Sequence, residues 1–276
     1  MARGQVIGAV TGAVFLIGAT SFANDKTDKT DKTDRIGPTA GAAVVAIDPG
    51  HGGTNLGAAA PIRGVYEKNV MLALAERIRA LVVGARDGIP AMTVVLCREA
   101  DVLVPIRARA RCARDSGARM FLSLHANAVP AGLASGSQRG FEVFVLGPRE
   151  VEDDAALAQL SEPDDVDAVW AAHEVRDAAE RSIRLGKAID DQLTRALGAE
   201  ARRGLKQTGA ALDVLRGTGT AAALVEVGFL DHPIEGTLLA SAEGREPIAR
   251  ALAAAIRAYV RAETRPATGP LIPSNP

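Results

Sequence analysis

Three residues able to bind a metal or move a proton each follow a short apolar run. Val44 to Ile47 leads into Asp48-Pro49-Gly50-His51-Gly52-Gly53, Met120 to Leu124 ends at His125, and Ala222 to Val225 ends at Glu226. Short apolar runs bounded by turn residues read as interior parallel strands. Pro49 ends the first run because it has no N–H for a ladder, and the glycines let the backbone bend sharply. In a parallel sheet all three residues would share the carboxyl edge, where open α/β sheets bind ligands. Two histidines and a carboxylate there are the makings of a zinc hydrolase. Each also has a plainer reading: a surface histidine in a glycine turn, a strand-end histidine bonded to nearby backbone, and a glutamate capping the next turn.

A catalytic zinc takes three protein ligands and keeps a position for water. His51 and His125 supply two. Glu67, at the start of a predicted helix, is the best candidate for the third, because the loop from Gly52 to Tyr66 could return it to the same edge. A carboxylate also stabilises a helix N-terminus with no metal present, and position alone leaves both readings open. Glu226 would then serve as the base that takes a proton from water and hands it to a leaving nitrogen. The apolar Val227-Gly228-Phe229-Leu230 after it would desolvate the carboxylate and raise its pKa.

His173 and His232 are spare histidines expected at the surface. There is no G-x-S-x-G, no G-x-x-x-x-G-K-[ST], and the glycines from Gly50 to Gly57 lack dinucleotide-fingerprint spacing. Of the 276 residues, 47% are hydrophobic and 24% charged, enough for a packed core. A net charge of −1 and 3% aromatics argue against a nucleic-acid binder. Cys97 and Cys112 form no disulfide framework and no zinc knuckle, and read as small core residues.

The elements that must position the chemistry alternate. Predicted strands are Val44–Asp48, Met92–Leu96, Met120–Leu124, Phe141–Val145, Leu212–Leu215 and Ala222–Val225. Predicted helices are Glu67–Val83, Pro105–Asp115 with its arginines facing solvent, Val175–Leu197 and Pro247–Val260. The pattern predicts one α/β domain over 42–264: a mostly parallel, mixed open sheet of about six strands with helices on both faces. Residues 1–23 read as a signal peptide, with membrane attachment only if it stays uncleaved, and 24–41, with its Asp-Lys-Thr repeat, as a flexible linker too short for a wall-targeting domain. The tail from 265 to 276 is expected to be loose. An acidic insertion spans 147–172.

Taken together, the motifs resemble those of the zinc-dependent N-acetylmuramoyl-L-alanine amidases of the bacterial cell wall, in their cell-separation type. They are Asp48-Pro49-Gly50-His51-Gly52-Gly53, Glu67-Lys68, Arg98 with Asp101, Ser123-Leu124-His125-Ala126-Asn127-Ala128, and Glu226-Val227-Gly228-Phe229-Leu230. The resemblance runs from about Val44 to Val260. It implies one zinc on His51, Glu67 and His125, with Glu226 as the catalytic glutamate. It implies cleavage of the amide between N-acetylmuramic acid and L-alanine in peptidoglycan, outside the cytoplasm. Asn127 would make a hydrogen bond to a ligand or to substrate, and Arg98 and Arg109 would form fold-supporting ion pairs. The acidic insertion falls where some relatives carry a regulatory helix, so Glu150, Glu152, Glu162 or Glu174 could occupy the metal at rest, with a protein activator displacing them. The sequence departs from the family's pattern at Thr54-Asn55-Leu56-Gly57-Ala58 and at Asp231-His232.

Overall fold

The computed structural model describes residues 42–83, 91–147, 166–207 and 213–264, with side chains between 166 and 175 left aside. The expected signal peptide, linker and tail, and most of the acidic insertion, lie outside these residues. Six strands form one sheet: β1 (Ala43–Pro49), β2 (Met92–Leu96), β3 (Met120–Asn127), β4 (Phe141–Val145), β5 (Arg202–Gln207) and β6 (Ala221–Phe229). Their spatial order is β2-β1-β3-β6-β4-β5. All neighbours are parallel except β4 and β6, which run antiparallel.

Every residue of β1 is buried, which explains its continuous apolar run: a central parallel strand has no wet face. Side chains alternate across it. Val45 and Ile47 enter a large core with α1 (Glu67–Val83), α3 (Val166–Leu197) and α5 (Ala242–Thr264), while Val44 and Ala46 enter a smaller core with α2 (Ile106–Asp115). Val70, Met71, Leu74, Ala75, Ile78 and Val82 form the buried stripe of α1, at the three-and-four spacing of one helix face. Burying each large aliphatic side chain contributes about 1.5–3 kcal/mol.

Register places the chemistry. Pro49 lies beside Leu124, and His125 lies beside Glu226. The carboxyl ends of β1, β3 and β6 therefore finish at one edge of the sheet.

Six expectations need correction. Cys97 and Cys112 are joined in a disulfide with Cα atoms 5.6 Å apart, tying the end of β2 to α2. Arg109 of α2 is buried, while Arg107, Arg111 and Arg114 are exposed as expected. The predicted strand at Leu212–Leu215 is instead a turn over residues 213–217; Leu215 is buried in the smaller core without pairing to the sheet. The strand that completes the sheet is β5, whose sequence Arg-Arg-Gly-Leu-Lys-Gln has no apolar alternation. The third helix also begins earlier than its apolar period suggested. The closing helix starts at Ala242, after a short α4 (Glu235–Ala240).

Candidate metal centre

The loop after β1 is held by two buried arginines. Arg109 donates from Nη1 to Asp48 Oδ1 (2.6 Å) and to the Pro49 carbonyl (2.8 Å), and from Nη2 to the His51 carbonyl (2.5 Å). Asp48 is fully buried, and its second oxygen accepts from the Ser123 hydroxyl at 2.9 Å. The expected ion pair of Arg109 is therefore present. Arg98 instead donates to carbonyls: Pro49 (3.3 Å), Gly50 (3.0 Å), Ala100 (2.9 Å) and Lys68 (2.8 Å). Lys68 and Asp101 pair with each other at 2.6 Å, and both grip Gly53, one at its carbonyl and one at its N–H. A planar guanidinium with five fixed donors suits this work, because it satisfies several loop carbonyls at once.

This bracing holds His51 in the left-handed region, at φ 60°. Such a conformation in a non-glycine residue is uncommon and costs about 1–3 kcal/mol. Two glycines are required by contact. A Cβ on Gly50 would lie 2.4 Å from the His125 ring, and one on Gly57 would lie 2.5 Å from Glu67 Oε2.

His51 Nε2 lies 2.9 Å and His125 Nδ1 3.0 Å from Glu67 Oε1. The two rings meet edge to face, 4.9 Å between centroids. Glu67 is oriented independently of the histidines: Oε1 accepts from the Ala126 N–H (3.0 Å) and Oε2 from the Ala58 N–H (2.9 Å). Asn55 Oδ1 lies 2.9 Å from His51 Nδ1, leaving Nε2 to face Glu67. The departure at Thr54-Asn55 thus bears on His51, a candidate metal ligand. Among the described residues, His51, Glu67 and His125 are the group able to hold a metal, their ligand atoms all within 4.8 Å of one another. Two imidazole nitrogens and a carboxylate oxygen are a donor set that suits zinc.

Glu226 lies across the strand pair from His125. Its Oε2 is buried and has no hydrogen-bond partner. Burial pushes its carboxyl up to about 7, and the negative charges of Glu67 and Glu142 add to the rise against the pull of His125. For Glu67 burial acts in the same direction, but hydrogen bonds from His125 and His51 outweigh it and hold the carboxyl at about 2. The half-buried His125 is raised, because Glu67 more than offsets its desolvation. One carboxylate is thus fixed as an anion beside the histidines, and the other is tuned to exchange a proton near neutral pH.

The remaining candidates disperse. Asn127 is engaged by another carboxylate: its Nδ2 donates to Glu142 Oε1 at 3.4 Å. His232 accepts the N–H groups of Ile234 and Glu235 at the start of α4, the part of a helix cap. Glu150, Glu152 and Glu162 lie outside the described residues, as do the side chains of His173 and Glu174. Sequence reasoning passed over Glu142, which is buried and bonded to Arg203 and Lys206. Its alternation with Phe141 and Val143 was the available signal: a charge inside an otherwise apolar strand.

A family profile described as N-acetylmuramoyl-L-alanine amidase matches residues 45–258. The chain is 30% identical to the amidase AmiA of Escherichia coli K12, over 93% of this chain and 91% of that protein. It is also 30% identical to the amidase AmiC of Escherichia coli O6:H1, over 78% of this chain but only 52% of AmiC, so it spans about half of that relative's length. Among solved structures, the amidase AmiC2 of Nostoc punctiforme superimposes with a TM-score of 0.59 at 26% identity, covering 79% of this chain and 97% of that one.

Proposed function

The chain belongs to the N-acetylmuramoyl-L-alanine amidase family, and from that premise we propose that it hydrolyses its peptidoglycan amide as a zinc enzyme. The observation that carries the proposal is the convergence of His51, Glu67 and His125 beside a carboxylate with an unpartnered buried oxygen. His51, Glu67 and His125 would hold the zinc. When bound, zinc supplies a Lewis acid for the scissile carbonyl and a lowered pKa for water.

The chain's own residues supply the rest. Glu226 takes a proton from the attacking water as the new carbon–oxygen bond forms. It returns that proton to the amide nitrogen as the carbon–nitrogen bond breaks, releasing an amine and a carboxylate. Arg98 and Arg109 keep the His51 loop from relaxing, and Asn55 keeps the His51 ring turned.

Export belongs to the same proposal, because the substrate lies outside the cytoplasm. The Cys97–Cys112 disulfide supports an oxidising compartment such as the periplasm or cell wall. No helix among the described residues is long and apolar enough to cross a membrane. A role in wall remodelling or daughter-cell separation, and a protein activator that displaces an inhibitory segment, complete the reading. The eight carboxylates between Glu150 and Asp167 support the activator. Deleting residues 148–165 is expected to raise turnover on sacculi without any added protein, and unchanged turnover would rule the activator out.

The direct test incubates zinc-loaded protein with muropeptides and identifies products by mass spectrometry. Stem peptides with a free N-terminal L-alanine are expected. Cleavage at any other bond would contradict the proposal.

A further inference from the structure

Glu226 stands between two differently charged territories. On the β3 side lie His51, Glu67 and His125. On the other side, β6 pairs with β4, and Glu226 lies directly opposite Glu142. Directly opposed residues put their side chains on the same face, about 4.5–5.5 Å apart at Cβ. Glu142 is buried and accepts from Asn127 at 3.4 Å, and from Arg203 Nε and Lys206 Nζ at shorter range. Both cations come from the edge strand β5. The β4–β5 register shifts between Phe141 and Val143, so Arg203 and Gly204 together face Glu142. Bulges of this kind re-aim side chains beside active sites, and here Arg203 turns inward over the Phe229 ring, 5.0 Å from its centroid. Lys206 covers the Phe144 ring at 5.4 Å.

Two cations share the one carboxylate they bond, so the Arg203–Glu142–Lys206 cluster itself carries one unit of positive charge. The contrast with Arg202 on the same strand is direct: it pairs with Asp190 and also feels Asp191, so its charge is fully matched. Arg203 and Lys206 remain accessible, with side chains 32% and 43% exposed.

The direction of the reaction says what would lie over them. The group that returns a proton to the leaving nitrogen must sit on the leaving-group side of the scissile bond. That group is Glu226, so the departing peptide extends from it away from the histidines, over β4 toward β5. Two strand spacings are about 10 Å, the reach of roughly three extended residues. We propose that Arg203 and Lys206, held by Glu142, form a subsite for a carboxylate on the second or third residue of the departing peptide. This inference rests on the amidase reading of the centre and adds the preference of the enzyme for an acidic stem. Glu142 is a positioning residue in this scheme: it keeps the two long side chains together before substrate arrives.

The test compares two N-acetylmuramoyl peptides that differ only in whether the residue after L-alanine carries a free α-carboxylate or its carboxamide. Wild-type protein is expected to favour the free acid on the order of 10-fold in kcat/KM, mostly through KM, as loss of one charge-assisted contact predicts. In the Arg203→Gln/Lys206→Gln variant that ratio should fall toward one. The charge-keeping Lys206→Arg variant should restore most of it in the Arg203 background, and thermal unfolding of each variant reports whether the fold is intact. A wild-type ratio near one, or a ratio that survives in a folded double variant, would overturn the subsite while leaving the amidase reading in place. Failure of zinc-loaded wild type to cleave either peptide would overturn both.

Discussion

Glu67, buried, and Glu226, half-buried with one oxygen enclosed, are carboxylates of one site with opposite surroundings. Glu67 sits where the chain has supplied every partner: two histidines and two backbone N–H groups. Its carboxyl is held at about 2. Glu226 sits at a strand end with one oxygen buried and unpartnered, and its carboxyl is pushed up to about 7. In the proposed mechanism the saturated carboxylate serves as the ligand and the unsatisfied one as the proton carrier. The same residue type takes two roles because burial is compensated in one place and left uncompensated in the other.

The largest expected effect comes from removing the proton carrier. Glu226→Gln keeps the shape of the side chain and should lower kcat by about 10²–10⁴-fold, with KM changing far less in steady-state kinetics on a muropeptide. Next is the bracing on the saturated side. Arg109→Ala leaves Asp48 charged, buried and short of its partner, so chemical unfolding should show a loss of about 3–5 kcal/mol. A smaller effect is expected at Asn55. Its replacement by Ala frees the His51 ring to turn, and zinc affinity measured by chelator competition should fall about 10–100-fold, with stability nearly unchanged.

The smallest effect is a pair of pH windows in metal-free protein. The folded pKa of Glu226 lies above its ordinary 4.5. Its contribution to stability is complete below that value and is lost as pH rises through about 7. Glu226→Gln should therefore gain on wild type across that interval, by about 1–2 kcal/mol at pH 8. Glu67 has the opposite sign, because its folded pKa lies below 4.5. Its contribution is present above 4.5 and is lost as pH falls toward 2, so Glu67→Gln should differ from wild type most above 4.5 and converge on it below. Thermal melts of the three proteins from pH 3 to 8 read both windows. Coincident curves would remove the distinction between the two carboxylates.

Much of this arrangement is legible in the sequence, for a physical reason. The central strands are buried on both faces, so β1, β3 and β6 announce themselves as apolar runs, and the residue that ends each run lands on the sheet edge. Helix α1 begins and ends where its apolar stripe does. The edge strand β5 gives no such signal, because only Leu205 of its six residues needs a core. The apolar Leu212 to Leu215 stretch reads as a strand instead, though Leu215 belongs to a turn and buries its side chain from there. Helix periodicity alone does not find Arg109, which only the family resemblance singled out: nothing in the pattern of a helix with four arginines says which one turns inward to a buried aspartate. The disulfide requires two Cα atoms 5.6 Å apart across 15 residues of chain, a distance no spacing encodes. Glu67 lies between these cases. Its position on a helix start is plain, but its service to the histidines depends on the return of the Gly52 to Tyr66 loop.

The most direct measurement is metal content beside turnover for two conservative variants, Glu67→Gln and Glu226→Gln, purified identically and exposed to the same zinc. Glu226→Gln is expected to hold about one zinc per chain and to cleave almost nothing, while Glu67→Gln loses both zinc and activity. Full zinc occupancy in Glu67→Gln, or loss of zinc in Glu226→Gln, would contradict the division of labour between the two carboxylates.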